Sequence, residues 1–112
     1  MAAKRTMTIG AIIPTMENAI FARGIQAFQE QLHSLGYTLL VSSSSYDPDI
    51  EEEQIRTLAS RGADGILLIG YRRDERTYDF LRRRTILAQV ERAEDLAADP
   101  AVARALEILK IA

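Results

Sequence analysis

The chain has 112 residues, 47% apolar and 27% charged, with a net charge of −2. That suffices for one domain with one core, and so small a charge sets up no global field to recruit nucleic acid or an anionic membrane. It contains no cysteine, which removes disulfides, thiolate chemistry and cysteine-bound metals. No tryptophan and few aromatics leave little material for stacking bases. The opening residues lack the long apolar stretch of a signal peptide, and no apolar run reaches membrane-spanning length. The expected compartment is the cytosol.

In chain order, residues 1–6 are polar and expected to be loose. Thr8-Ile9-Gly10-Ala11-Ile12-Ile13 is apolar on both faces and is stopped by Pro14. It reads as a central strand of a parallel sheet. A loop over 14–17 follows, with Asn18 as a helix N-cap. Phe21, Ile25, Phe28, Leu32 and Leu35 recur at helical spacing, so one stripe of that helix faces a core. Gly36 ends it as the residue just past the C-cap.

Tyr37–Ser42 reads as a second buried strand, followed by the polar loop Ser43-Ser44-Ser45-Tyr46-Asp47. Pro48 argues against helix just before it. Asp49, Glu51, Glu52 and Glu53 suit a helix start, where carboxylates complement the dipole and aid solubility. Ile55, Leu58 and Ala59 should face the sheet, and Arg61-Gly62 closes the helix. Asp64 reads as a turn residue before a third buried strand, Ile66–Ile69, stopped by Gly70. Residues 74–84 read as a third helix with Tyr78 and Leu81 inward and its arginines in solvent. Such alternation means parallel strands joined by right-handed crossovers.

The tail is ambiguous. Residues 85–90 fit either a fourth strand or a continuation of the third helix. Asp99-Pro100 is a helix start signal, and Val102, Leu106 and Leu109 make a stripe, so a last helix is expected over about 100–111.

Enzymatic residues are not found. His33, the only histidine, lies off the apolar stripe and has no partner at helical spacing. A phosphoacceptor receiver would need carboxylates where Ile13-Pro14 and Ile69-Gly70 stand. A flavodoxin would need a glycine in the first loop, and no Gly-x-Gly-x-x-Gly or Walker loop occurs. No catalytic residue, metal ligand or cofactor is expected.

The order and spacing of several short stretches carry a resemblance. They are Arg5-Thr6, Thr8-Ile9-Gly10, Pro14–Phe21, Arg23-Gly24-Ile25, Leu35-Gly36-Tyr37, Tyr46-Asp47-Pro48 with Glu51-Glu52-Glu53, and Arg61-Gly62-Ala63-Asp64-Gly65-Ile66. Over roughly residues 5–84 the chain resembles the effector-binding core of the lactose/galactose repressor family, which shares its fold with periplasmic sugar-binding proteins. The resemblance implies a helix-turn-helix head followed by a two-lobed core that closes on a sugar or similar effector. Residues 1–84 would be the β-α-β-α-β-α half of the first lobe. Residues 85–112 do not resemble the family's continuation, so a truncated, frameshifted or engineered chain is expected.

The expected fold is therefore α/β: a three-layer, flavodoxin-like or periplasmic-binding-protein-like half domain, its parallel sheet having core strand order 2-1-3. Ligands of such sheets bind beyond the carboxyl ends of the strands. That places Thr15, Glu17, Asn18 and Phe21 after the first strand, Ser43, Ser44 and Tyr46 after the second, and Tyr71 after the third. Together they form a vestigial half-site. Where the family often has Asn-Pro-Phe-Phe, this chain has Asn18-Ala19-Ile20-Phe21, a thinner aromatic wall. Asn18 is open to a second reading as a cap alone, the serines as a solvated turn, and Tyr71 as a surface residue.

The function expected is non-enzymatic small-molecule sensing, with weak or no ligand binding and no nucleic-acid or membrane partner. The alternative is a small phosphate- or nucleotide-binding domain using the serine loop and the arginines at 72, 73, 76 and 82–84. A homodimer is expected through the open edge of the third strand, the C-terminal helix, or both.

Overall fold

The computed structural model describes residues 6–70 and 73–90. The elements are β1 (Thr8–Ile13), α1 (Ala19–Ser34), β2 (Thr38–Ser43), α2 (Pro48–Ser60), β3 (Gly65–Ile69), α3 (Glu75–Arg82) and β4 (Ile86–Val90). All strand pairs are parallel, in the order β2-β1-β3-β4. The expected 2-1-3 core is present, with β4 added beside β3.

Strand alternation divides the core into two layers. Ile9, Ala11, Ile13, Leu67 and Ile69 face α1 and pack with Phe28 and Leu32. Ile12, Ile66 and Leu68 face the other way, onto Ile55 and Leu58 of α2 and Tyr78 and Leu81 of α3. Right-handed crossovers require this, since β1 to β2 runs one way along the sheet and the later crossovers run back. At Gly10 a Cβ would stand 2.7 Å from Leu58 Cδ1. The missing side chain is what lets α2 lie so close to β1.

The ambiguous 86–90 segment is a strand. The helix before it is shorter than the 74–84 expected, ending at Arg82. Arg84 and Thr85 both donate their N–H to Leu81 O, and Thr85 Oγ1 donates to Ala63 O at 2.9 Å. That last bond swings the chain alongside the start of β3. No glycine or proline marks that turn in the sequence, because a tertiary contact makes it.

One expectation is thereby corrected. β4 occupies the edge of β3 in full register, from Gly65 opposite Ile86 to Ile69 opposite Val90. That edge has no free backbone groups with which to pair a second copy. The helix expected over 100–111 lies outside the described residues.

Candidate functional site

The C-terminal end of the sheet has two halves of different character. Over β1 and β2 the loops are open. The register sets Ile13 beside Ser43, and Ser44 N–H extends the ladder by donating to Ile13 O at 2.9 Å. The two loops therefore leave the sheet side by side.

In the first loop Thr15 Oγ1 accepts from Glu17 N at 3.1 Å, and Asn18 Oδ1 accepts from Ile20 N at 2.8 Å. Asn18 is thus a working N-cap. Its amide nitrogen and the exposed Glu17 carboxylate have no partner among the described residues. Phe21 is half-buried and packs on the α1-side core. It supports the loop from beneath as well as bordering it.

The second loop is strained. Ser45 and Tyr46 have φ of 55° and 59°, and Asp47 N donates to Ser44 O at 3.0 Å. Two consecutive left-handed residues inside that bond are the mark of a type I′ turn, normally built with Asn and Gly. Holding a serine and a tyrosine there costs about 1–2 kcal/mol per residue. The result is a Tyr46 side chain in solvent, with the residue 60% exposed. Asp47 then caps α2, accepting from Asp49 N and Ile50 N.

Ser43 ends β2. Its hydroxyl lies 3.5 Å from Pro14 O, and its carbonyl accepts from Gln54 Nε2 at 2.8 Å. Ser44 is fully buried, and neither its hydroxyl nor Gln54 Oε1 has a hydrogen-bond partner among the described residues. Met16, Ile20 and Ile50 are exposed at this same end of the sheet. The β1–β2 half thus combines apolar groups with a few uncommitted polar ones, and Tyr71 lies outside the described residues.

Over β3 and β4 the end is sealed. Arg73 Nε and Nη2 donate to Glu51 Oε1 and Oε2, both at 2.7 Å, and the two side chains are only 4% and 5% exposed. Arg73 Nη2 also donates to Ile69 O at 3.1 Å, and Nη1 to Gln89 Oε1 at 3.2 Å. Arg73 N donates to Tyr78 Oη at 2.8 Å, whose hydroxyl donates on to Gln89 Oε1 at 2.9 Å. Gln89 Nε2 closes the ring by donating to Gly70 O at 3.3 Å.

One reading is corrected here: Glu51 is not dipole complement in solvent but is buried with Arg73. The sequence held a signal: Glu51, Ile55 and Leu58 share one stripe, so a charge at the first position required a buried partner. The other described arginines are mostly engaged locally. Arg76 pairs with Asp74, Arg82 with Glu75 and Asp79, and Arg84 lies 3.9 Å from the centre of the Phe80 ring.

The ionisation of the α3 cap is displaced. The Asp74 carboxyl is held below its ordinary 3.8, first by the hydrogen bond from Arg76 N–H and then by the Arg76 guanidinium. A groove of about 460 Å³ runs between the first turns of α2 and α3, over the Glu51–Arg73 pair. It lies on the α2–α3 face and contains none of the expected ligand residues.

At the opposite end of the sheet Asp64 does more than turn the chain. Its carboxylate accepts from Thr6 N at 3.1 Å and Met7 N at 3.0 Å, while Thr6 Oγ1 donates to Gly62 O at 2.8 Å. These bonds clamp the segment entering β1. Among the described residues no group of three or more metal-ligating side chains is assembled, and no helix is long and apolar enough to cross a membrane.

A parallel sheet whose open loops gather beyond the carboxyl ends of its strands has the arrangement in which open α/β folds take ligands. The family described as periplasmic binding proteins and sugar binding domain of LacI family matches residues 6–104, and the chain belongs to it. The match runs past residue 84, where the resemblance read from the sequence stops. The HTH-type transcriptional regulator IdnR of Escherichia coli K12 is 34% identical over 82 residues, 73% of this chain and 25% of that protein. A LacI family transcriptional regulator from Silicibacter pomeroyi superposes with a TM-score of 0.68 at 25% identity, covering 73% of this chain and 31% of that one. Another from Lactobacillus casei, solved with bound glucose, gives 0.61 at 26% identity, over 71% and 31%. The chain spans about a quarter of the length of the curated relatives it matches.

Proposed function

We propose that this chain is one wall of the effector site of a LacI-family transcriptional regulator, and that it is not an enzyme. The observation that supports this most is the strained Ser45-Tyr46 turn. It holds an aromatic side chain in solvent at the end of the sheet where such folds take ligands. The effector class that fits is a small polyhydroxylated molecule. Thr15, Glu17, Asn18, Ser43 and Tyr46 supply its polar contacts, with Phe21 beneath them and Tyr71 at the third loop. Ser44, whose hydroxyl is buried, takes part only if the turn shifts.

One wall binds weakly. A complete site of about 1 μM corresponds to roughly −8 kcal/mol, and half of those contacts leave about millimolar affinity. The test is a titration of the 15N-labelled chain with D-glucose and other aldoses, followed by amide shifts. The expected result is saturable shifts confined to 15–21, 43–46 and the Tyr71 region. No shift at ~100 mM sugar, where a millimolar site is saturated, refutes the reading.

The proposed compartment is the cytoplasm, where a regulator of transcription acts. The proposed surface for pairing two copies is the apolar stripe Val102, Leu106 and Leu109, to be checked by sedimentation of the full chain.

A further inference from the structure

The turn after β2 gathers three features that folded chains avoid. Ser45 and Tyr46 are left-handed without being glycine, with φ of 55° and 59°. The Ser44 hydroxyl is wholly buried and has no hydrogen-bond partner among the described residues. Gln54 Oε1, from the second turn of α2, is buried and unpartnered in the same way. The two atoms flank one peptide group: Gln54 Nε2 donates to Ser43 O at 2.8 Å, and Ser44 is the next residue. Buried polar atoms without partners are uncommon, and two of them beside strained backbone point to a partner that the closed turn does not supply.

Little holds the turn closed. Its ends are fixed, Ser44 N–H on Ile13 O and the Asp47 carboxylate on the N–H groups of Asp49 and Ile50. Between them one backbone bond spans the turn, from Asp47 N–H to Ser44 O at 3.0 Å, and both central side chains are exposed. Relaxing Ser45 and Tyr46 to negative φ gives up that bond and relieves both residues. We propose that Gln54 and Ser44 are a concealed polar pair of the effector site, covered by the turn when it is closed and offered to a ligand when it opens. One ligand hydroxyl suits the pair, since it can donate to Gln54 Oε1 and accept from Ser44 Oγ at once. A ligand shifts the turn only by binding its open form more tightly, and two unmet hydrogen bonds supply that difference. The ligand half of the proposal rests on the effector-site reading above; the opening of the turn does not.

The test is amide hydrogen exchange and D-glucose titration of the full 15N-labelled chain beside Ser45→Asn/Tyr46→Gly, Ser44→Ala and Gln54→Met. Asp47 N–H should be at least ~10-fold less protected than Ser44 N–H, and the double variant, whose sequence favours this turn, should regain that factor. Equal protection of the two amides in the parent overturns the proposal. Ser44→Ala should leave the unfolding constant within ~3-fold of the parent's or lower it; a larger rise means that the hydroxyl already has a partner, through water, and overturns the proposal too. Saturating glucose should lower Asp47 protection in the parent at least ~3-fold, and Ser44→Ala and Gln54→Met should each bind it ~3–10-fold more weakly. Glucose-dependent shifts at 15–21 with Asp47 protection and both variant affinities unchanged refute the concealed pair and leave the effector reading standing. If no aldose shifts the parent, the effector reading fails and takes the pair's role with it, while Asp47 exchange still decides whether the turn opens.

Discussion

The two halves of one sheet end solve the same problem in opposite ways. Over β1 and β2 the strand ends are finished by backbone bonds and local caps, Asn18 to Ile20 and Asp47 to Asp49. Glu17, Asn18 and Tyr46 are left in water, and the strain sits in the backbone at Ser45 and Tyr46. Over β3 and β4 the strand ends are finished by side chains that reach across four elements, and the charges go inside. A half that satisfies its backbone locally keeps side chains free to meet a ligand. A half that spends its side chains on the backbone leaves few of them free to meet a ligand.

The sharpest way to break this comparison is Arg73→Ala. It strands the Glu51 carboxylate in the core, an effect of about 3–5 kcal/mol, a large share of the stability of a small domain. Urea unfolding measures it, and a loss below about 1 kcal/mol would mean that water reaches the pair and the half is not sealed. Gly70→Ala comes next. Gly70 has φ of 112°, and a Cβ there would lie 3.0 Å from Pro14 Cγ. A loss of about 1–3 kcal/mol is expected in the same assay.

Tyr46→Gly tests the open half from the other direction. Relieving a left-handed tyrosine should raise stability by up to about 1 kcal/mol even though a side chain is lost, because glycine takes that backbone freely. A drop in stability would show that the ring packs against the protein rather than standing out for a ligand. The smallest effect is at Asp74. Its folded-state pKa is depressed, so the α3 cap contributes above the ordinary 3.8 and is lost as pH falls through the lower, folded value. A carboxyl titration by NMR should give a midpoint below 3.8. A midpoint at or above it would mean that the cap is not formed in solution.

Much of this fold was legible in short stretches. Thr8–Ile13 announced a doubly covered strand by being apolar at every position but its first. Asn18 and Gly36 marked the ends of α1, and Gly36 indeed takes a φ of 86°. The loops of the open half were legible in position for the same reason, since they follow directly from where β1 and β2 stop. The sealed half was legible only in part. Glu51 stood in a run of three glutamates and Arg73 in a run of arginines; the Ile55 and Leu58 stripe set Glu51 apart from its neighbours, but nothing local named its partner. Asp64, too, read as a turn residue because its partners lie 57 and 58 positions away.

Patterning and capping chemistry, which act over a few residues, were enough to specify the β-α-β order, the central β1 and the loops beyond it. Folding decided the rest: that 86–90 is a strand, that β3 has no free edge, and that one glutamate and one arginine are taken out of water. Each depends on a partner remote in sequence. A hydroxyl on Ala63 O, a strand beside β3 or a guanidinium facing a carboxylate contributes only once the chain has brought both sides together.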